Sequence, residues 1–180
     1  MDSNAQQTYS LKKFLHFSKA PRTSGSGYTM NLRPATNADS EQIKNVVFSV
    51  LKEYGLEPDS SSTDKDLDSI EESYFANNGF FGVVEAEGSI VASVGLHKVT
   101  PTTCELRKMY SLPSQRGKGL GKSLIEFALS KAKELGYNRV ILETASPLKE
   151  AIGLYKKYGF KEYKPEHLAP RCDQAFELYL

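Results

Sequence analysis

The stretch QRGKGLGKS, residues 115–123, has the composition of a phosphate-binding loop. Three glycines alternate with basic side chains, and an apolar helical pattern follows them. Glycines allow the backbone to approach a ligand and leave its N–H groups free to donate. A helix that begins there directs its positive end at the same point. The stretch therefore predicts binding of a phosphorylated ligand, and the spacing indicates which one.

An ATP loop requires the pattern G-x-x-x-x-G-K-[ST]. Residues 121–123, GKS, supply its end, but its first glycine would fall on Arg116. The nearest upstream glycine, Gly117, leaves the loop one residue short. The strand expected before the loop is also polar and alternating rather than buried. These observations disfavour an ATPase or kinase.

Two glycine patterns remain for the same loop. A dinucleotide fingerprint, G-x-G-x-x-G, fits Gly117 and Gly119 but places Lys122 at its last glycine. The pattern R-x-x-G-x-G fits Arg116, Gly119 and Gly121 at every position. We interpret the loop as a pyrophosphate site, with a flexible strand-to-helix turn as the alternative.

The elements around the loop follow from the hydrophobic periodicity. Strands are predicted at 30–35, 80–86, 90–99, 103–112, 138–144, 160–164 and 175–180, and helices at 36–55, 66–77, 120–136 and 146–159. Three strands in a meander, followed by alternating strands and helices, predict an α/β (α+β) fold. We expect one mixed sheet of about six to seven strands with helices on both faces.

Composition restricts the classes of protein. The 180 residues suit one domain, and a net charge of +1 gives no basis for nucleic-acid binding. The chain has no apolar run long enough for a membrane span, and Cys104 and Cys172 lack a metal or redox spacing. We expect a cytoplasmic protein without a metal, and with neither nucleic acid nor membrane as partner.

The first 29 residues differ from the rest in being rich in serine, glycine and lysine. We interpret residues 1–29 as a flexible basic extension, with an organelle leader as the alternative. Periodic structure begins at Met30, so residues 30–180 are expected to form the domain.

The motifs together resemble the GNAT family of N-acetyltransferases, which use acyl-CoA as donor. The loop QRGKGLG, the preceding strand CELRKMYSL and the later AIGLYKKYGF carry the resemblance, which covers roughly residues 28–180. It implies a GNAT-type sheet and acetyl-CoA as co-substrate. It also implies transfer of the acetyl group to a primary amine of a small molecule or peptide, by direct attack on the thioester.

The resemblance also implies a donor site, in a gap between strands 103–112 and 138–144. Backbone groups of Met109, Tyr110 and Ser111 would pair with the pantetheine arm, as an added strand does. The pyrophosphate would lie against the whole loop, comprising Gln115, Arg116, Gly117, Lys118, Gly119, Leu120, Gly121 and Lys122. A solvated basic rim is the alternative for its charged side chains, and we expect it for at least one lysine.

Two catalytic residues follow from the resemblance. Glu105 occupies the general-base position of some family members, and Tyr155 matches the tyrosine that protonates the departing sulfur. Their alternatives are a strand carboxylate paired with Arg107 and a core aromatic. His97 is a further candidate base, with a structural role as its alternative. Leu148 stands where many members carry an asparagine that contacts the pantetheine.

The acceptor site has weaker indications. Residues 52–72 hold eight acidic residues, and Glu57 and Asp59 among them suggest a cationic amine acceptor; a solvated acidic face is the alternative. A non-catalytic acyl-CoA-binding module on the same fold is the rival function. The last strand, 175–180, could lie at a sheet edge and pair two copies into a homodimer.

Overall fold

A seven-stranded mixed sheet forms the centre of the computed structural model, which describes residues 31–180. Its order is β1-β2-β3-β4-β5-β7-β6. The strands are β1 Asn31–Pro34, β2 Phe80–Ala86, β3 Ser89–Lys98, β4 Thr103–Ser111, β5 Arg139–Thr144, β6 Lys161–Glu162 and β7 Gln174–Tyr179. The extension predicted for residues 1–29 lies outside the described residues.

The pairing of β4 with β5 is parallel, whereas every other pair of neighbouring strands in the described sheet is antiparallel. Only three residue pairs hold β4 to β5, and the last of them joins Glu105 to Ile141. Beyond that pair β4 continues to Ser111 and β5 to Thr144 without mutual pairing. The two strands therefore separate towards their carboxyl ends and leave a gap in the sheet.

Within residues 31–180, four helices cover the sheet: α1 Ser40–Glu53, α2 Ile70–Ser73, α3 Leu120–Glu134 and α4 Lys149–Lys157. The predicted cap before α1 is present, since the Thr36 N–H donates to Asp39 Oδ2 at 2.8 Å. A short 3-10 turn, Asn37–Asp39, lies between this cap and α1. None of the described helices is long and apolar enough to cross a membrane.

Buried side chains form two clusters, one on each face of the sheet. On one face, Ile43 and Val47 of α1 lie in the same cluster as Phe81 of β2. On the other, Ile125 of α3 lies in the same cluster as Leu142 of β5. Helices thus cover both faces, and the predicted fold class is confirmed.

Two predicted helix boundaries are wrong. The helix expected at 66–77 is reduced to α2 because Ser69 has an extended backbone, with φ −143° and ψ 90°. The helix expected from Ser146 begins at Lys149. Leu148 occupies the cap position of this helix, while the Ser146 N–H donates to Asp173 and its hydroxyl accepts from Gln174.

The last strand, β7, lies inside the sheet between β5 and β6. The expectation of an edge strand at 175–180 is therefore wrong. Two-residue β6 pairs with Phe176 and Glu177 only, so the far side of Tyr179 is open. Tyr179 is correspondingly exposed.

Candidate active site

A cavity of about 430 Å³ opens where β4 and β5 separate. Its wall combines the glycine loop, the carboxyl-terminal halves of β4 and β5, one face of α4 and parts of two long connections. Of the donor-site residues and the two catalytic residues that the resemblance implies, all but Gln115 and Lys118 line this wall. The sequence therefore located the residues of one cavity, although the role of each stays a prediction.

The glycine loop has the backbone of an anion site. Gly117 and Gly119 have φ of 75° and 80°, the left-handed conformation that glycine adopts without strain. Gly119 immediately precedes α3. The first N–H groups of a helix have no acceptor within the helix, so those at the start of α3 are available to a ligand.

The loop also has room for a ligand. A Cβ atom at Gly117 or Gly119 would meet nothing within 4 Å, and one at Gly121 would meet only Leu154 of α4, at 3.5 Å. A phosphate group could therefore reach the backbone at the first two glycines without displacing protein atoms.

Arg116 is tied to α1 in this structure. Its guanidinium donates to both carboxylate oxygens of Glu53 at 2.6 and 2.8 Å, and it lies over the Tyr54 ring at 5.5 Å. It also donates to the Ser111 carbonyl at 3.3 Å. Arg116 thus holds the loop against α1 and β4 while still lining the cavity.

The lysines of the loop divide into one on the wall and one away from it. Lys122 lines the cavity, and its amine lies 3.9 Å from Glu126. The Lys118 amine donates instead to the Gln115 side chain at 3.3 Å, and Lys118 is exposed. The expectation that at least one lysine belongs to a solvated rim agrees with Lys118.

A bulge in β4 explains why the strand turns away from β5. The pairing with β3 shifts between Ser93 and Gly95, and Lys108 opposite has a φ of 52°. The Ser93 hydroxyl donates to the Lys108 carbonyl at 2.7 Å and holds this conformation. Bulges bend a strand and redirect its side chains. Met109, Tyr110 and Ser111 follow the bulge and line the cavity.

Glu105 is a buried carboxylate at the point of separation. Its side chain is 13% exposed, and Arg107 Nε donates to its Oε2 at 2.7 Å. Burial raises the pKa of Glu105 above its ordinary value, Arg107 opposes the rise, and Glu143 adds to it. Glu105 thus pairs with Arg107 and also lines the cavity, and its role as a base stays a prediction.

Tyr155 presents a protonated phenol to the cavity wall. Its ring lies 5.9 Å from that of Phe160, between centroids, and the residue is buried. Burial raises the pKa of Tyr155 well above its ordinary value, so it keeps its proton at neutral pH. Within residues 31–180 its hydroxyl makes no hydrogen bond. The core and functional interpretations of Tyr155 are compatible.

Two other residues from the sequence take clear positions. His97 is not part of the cavity wall, and its ring packs edge-on against Tyr74 at 5.7 Å. Burial lowers its pKa, which favours neutral imidazole in a structural role. Leu148 lines the cavity beside Ala151 and Leu154, giving an apolar surface where many family members have an asparagine.

The far end of the cavity is held by a buried ionic cluster that the sequence did not reveal. Asp64 has a fully buried side chain between Lys108, at 2.7 Å, and Arg171, whose two nitrogens each donate at 2.6 Å. Burial alone would raise the pKa of Asp64, but the hydrogen bonds from Arg171 and Lys108 lower it to about 2. The cluster joins the α1–α2 connection, the β4 bulge and the β6–β7 connection.

The acidic segment 52–72 does not supply carboxylates to the cavity. Tyr54 and Thr63 are its contributions to the wall. Glu57 is exposed, and Asp59 accepts hydrogen bonds from Ser61, Ser62 and Thr63 of its own loop. Glu57 and Asp59 therefore lie off this cavity, where the solvated alternative fits them, and their part in binding a cationic acceptor stays a prediction.

A carboxylate missed by the sequence analysis, Glu143, lies on the wall at the end of β5. Its Oε2 accepts the Ala169 N–H at 2.8 Å. Ligands of α/β sheets bind at the carboxyl ends of parallel strands, so this position could have been found from strand order. Arg171 and Cys172 also line the wall but come from an irregular connection, which gave no such signal.

Comparison with known proteins agrees with this architecture. Residues 47–160, more than half of the chain, match the acetyltransferase (GNAT) family. The uncharacterized N-acetyltransferase YjgM of Escherichia coli is 42% identical over 135 residues, covering 72% of this chain and 81% of that protein.

Solved structures share the fold. An acetyltransferase of the GNAT family from Staphylococcus aureus Mu50 superposes with a TM-score of 0.78 at 21% identity, over 84% of this chain and 99% of that one. The PaiA N-acetyltransferase of Thermoplasma acidophilum, solved in complex with coenzyme A, gives a TM-score of 0.67 at 21% identity, with the same coverage. The chain therefore belongs to the GNAT family of acetyltransferases, and its predicted class as an acyltransferase is confirmed.

Proposed function

We propose that this protein transfers the acetyl group of acetyl-CoA to a primary amine by direct attack on the thioester. One observation carries the proposal: the gap between β4 and β5 adjoins the glycine loop, and Glu105 and Tyr155 lie on the wall of the same cavity. The name of the E. coli relative and the coenzyme A bound to the Thermoplasma protein support the choice of reaction and donor.

The residues present fit a long phosphorylated thioester. The start of α3 and the open backbone at Gly117 and Gly119 suit the pyrophosphate. The stretch of β4 around Tyr110 has no partner on the β5 side, so its backbone groups there are available to an extended pantetheine arm. Leu148 and Leu154 give that arm an apolar neighbour. The bound donor supplies an activated acyl group.

Glu105 supplies the base. An amine that attacks the acyl carbon forms a C–N bond and must lose a proton, which the Glu105 carboxylate accepts directly or through water. A raised pKa makes Glu105 a stronger base than an ordinary carboxylate while Arg107 keeps a population of it ionised. Backbone N–H groups of the unpaired part of β4 are the candidate donors to the oxyanion.

Tyr155 supplies the acid. As the C–S bond breaks, the sulfur takes the electron pair and accepts the phenolic proton of Tyr155. The burial that raises the pKa of Tyr155 keeps that proton in place until a strong base forms beside it. After the products leave, Glu105 releases its proton to solvent and the Tyr155 phenolate takes one back from solvent.

The test is a coenzyme A release assay over a panel of primary amines, with the acetylated product identified by mass. We expect Glu105→Gln to lower kcat by roughly 10²–10⁴-fold, the usual contribution of a positioned base, with the Kd of acetyl-CoA within about twofold. Glu85→Gln is the matched control, because Glu85 is also a strand carboxylate paired with an arginine, Arg33, but lies off the cavity.

Tyr155→Phe has its own control in Tyr158→Phe, whose hydroxyl donates to Glu126 away from the cavity wall. We expect a loss of turnover for Tyr155→Phe alone. Acetyl-CoA binding with no turnover by the unmodified protein on any amine would instead indicate the non-catalytic acyl-CoA-binding module.

A further inference from the structure

We propose that Glu143 selects the acceptor, and that the preferred substrates are primary amines without a carboxylate on the carbon next to the nitrogen. The inference rests on the proposed acetyl transfer and names the substrate class of that site. The acceptor is then recognised by a single carboxylate near the end of β5 rather than by the acidic segment 52–72.

The sheet places Glu143 beside the base. Glu105 pairs with Ile141 in the parallel register, and Glu143 is two residues further along β5. Side chains two residues apart on a strand point to the same face, so Glu105 and Glu143 share one face at the separating strands. Both line the cavity.

The cations around this end of the cavity already have partners. Arg107 donates to Glu105 at 2.7 Å. Lys108 and Arg171 both donate to Asp64, at 2.7 and 2.6 Å. These three side chains and the four carboxylates of Asp64, Asp66, Glu105 and Glu143 leave a formal excess of negative charge when all are ionised.

Glu143 is the carboxylate that carries this excess negative charge, and it faces the cavity. It accepts one hydrogen bond, from the Ala169 N–H at 2.8 Å, and within residues 31–180 no arginine or lysine lies at ion-pairing distance from it. Asp66, by contrast, accepts from the Tyr74 hydroxyl at 2.6 Å and lies near Arg107 and Lys108. The free charge at the acceptor end is therefore that of Glu143.

This arrangement discriminates between amines and amino acids. An ammonium group gains an ion pair with Glu143 on entry, releases one proton to solvent to become the attacking amine, and loses a second proton to Glu105 as the C–N bond forms. An α-carboxylate entering with the same amine would face Glu143 and find Arg107, Lys108 and Arg171 already bound to carboxylates. Specificity of this kind comes from repulsion of the wrong ligand as much as from attraction of the right one.

The experiment compares matched acceptors that differ by one carboxylate: tyramine with tyrosine, histamine with histidine, and phenethylamine with phenylalanine. We expect the amine of at least one pair to have a kcat/KM more than tenfold above its amino acid. Glu143→Gln should raise the KM of that amine about tenfold, leave the KM of acetyl-CoA unchanged, and reduce the preference to a few-fold. Glutamine can still accept the Ala169 N–H, so the β6–β7 connection should keep its position.

Asp173→Asn is the matched control. Asp173 also accepts one backbone N–H, from Ser146 at 2.8 Å, but is exposed and off the cavity wall. It should leave both KM values and the preference unchanged. Thermal unfolding of each variant without ligand establishes that it is folded.

Three results would overturn the inference. They are a preference for the amino acids, an unchanged preference in Glu143→Gln, and turnover of other amines with none of these six acceptors. Failure of the proposed function has a different signature, because the unmodified protein would then neither release coenzyme A with any amine nor, in the extreme case, bind acetyl-CoA.

Discussion

The two ends of the cavity are built in different ways. The end where we propose that the donor binds, called the donor end, is formed by the loop at residues 115–122, with open glycine backbone and the first turn of a helix. The end where we propose that the amine binds, called the acceptor end, is assembled from Thr63, the β4 bulge, the end of β5 and residues 169–172. The donor end has backbone N–H groups available to a ligand, whereas most charged side chains of the acceptor end form ion pairs with one another. Substitutions in the loop of the donor end should therefore affect ligand binding, whereas substitutions in the buried Asp64 cluster of the acceptor end should affect folding.

The largest expected effect is on the buried cluster of the acceptor end. Asp64→Asn leaves Lys108 and Arg171 without their buried counter-charge. Removing one partner of a buried ion pair costs roughly 3–5 kcal/mol, and we expect that loss in the free energy of unfolding measured with urea. Glu57→Gln, an exposed residue of the same connection, should change it by no more than about 0.5 kcal/mol. Equal stability of the two variants would contradict the contrast.

The same carboxylate predicts an acid dependence. The pKa of Asp64 is lowered in the folded state to about 2, from an ordinary value of 3.8. The ionised carboxylate therefore stabilises the fold at pH values above its ordinary pKa. That contribution is lost as the pH falls from about 4 towards 2. Urea unfolding at a series of pH values should show a smaller loss over this window for Asp64→Asn than for the unmodified protein. If the free energy of unfolding falls equally with pH in both proteins, the ion pairs of Asp64 do not lower its pKa.

At the donor end, the expected effect is on ligand affinity. Gly119→Ala forces a Cβ into a left-handed conformation that costs an L-residue roughly 1–2 kcal/mol. We expect an acetyl-CoA Kd about tenfold higher by calorimetry, with a stability loss of about 1 kcal/mol. Gly153→Ala, at an exposed position in the middle of α4, should stabilise the protein slightly and leave the Kd unchanged. An unchanged Kd in Gly119→Ala would show that the loop backbone does not bind the donor.

Arg107 is bonded to Glu105, the proposed base, and influences its pKa. Its guanidinium opposes the burial that raises the pKa of Glu105, so Arg107→Gln should raise that pKa further. Glu105 acts only when ionised, and the acid limb of the kcat/KM profile should therefore move to higher pH. Arg139→Gln, whose arginine pairs with Glu177 off the cavity, should leave the limb in place. If the acid limb of the kcat/KM profile stays in place in Arg107→Gln, Glu105 is not the base.

The smallest expected effect concerns the acidic connection itself. Charge reversal at Glu57 and Asp59 should change kcat/KM for cationic amines by less than about twofold, because both side chains lie off the cavity wall. The measurement uses the amines of the matched pairs. A tenfold loss of kcat/KM would indicate that this segment contributes to acceptor binding and would argue against selection by Glu143 alone.

The contrast also explains what could be predicted from the sequence. Periodicity and capping residues are local, so the strands, the Thr36 cap and the glycine loop were recognisable within short windows. The pairing of Asp64 with Arg171 joins residues 107 positions apart, and no local pattern encodes it. The acidic segment misled the prediction because its charge was visible in the sequence while its cationic partners were not.

The two helix errors have the same origin, in contacts with other parts of the chain. Ser69 interrupts the helix expected at 66–77 between Leu67 and Ile70, which are both buried in the cluster that contains α1, and the Ser40 hydroxyl of α1 donates to the Leu67 carbonyl. Ser146 has the residue type of a cap but donates and accepts across to β7 instead. Glu143 could have been found, since it ends a parallel strand next to the predicted gap.

Thermal unfolding with two competing ligands tests the central claim, that the loop at 115–122 binds coenzyme A phosphates. Acetyl-CoA at about a hundred times its Kd should add about 2.7 kcal/mol to the stability of the protein. Magnesium ATP at the same concentration should add much less. Stabilisation by magnesium ATP with none by acetyl-CoA would contradict the account and return the loop to the class of ATP sites.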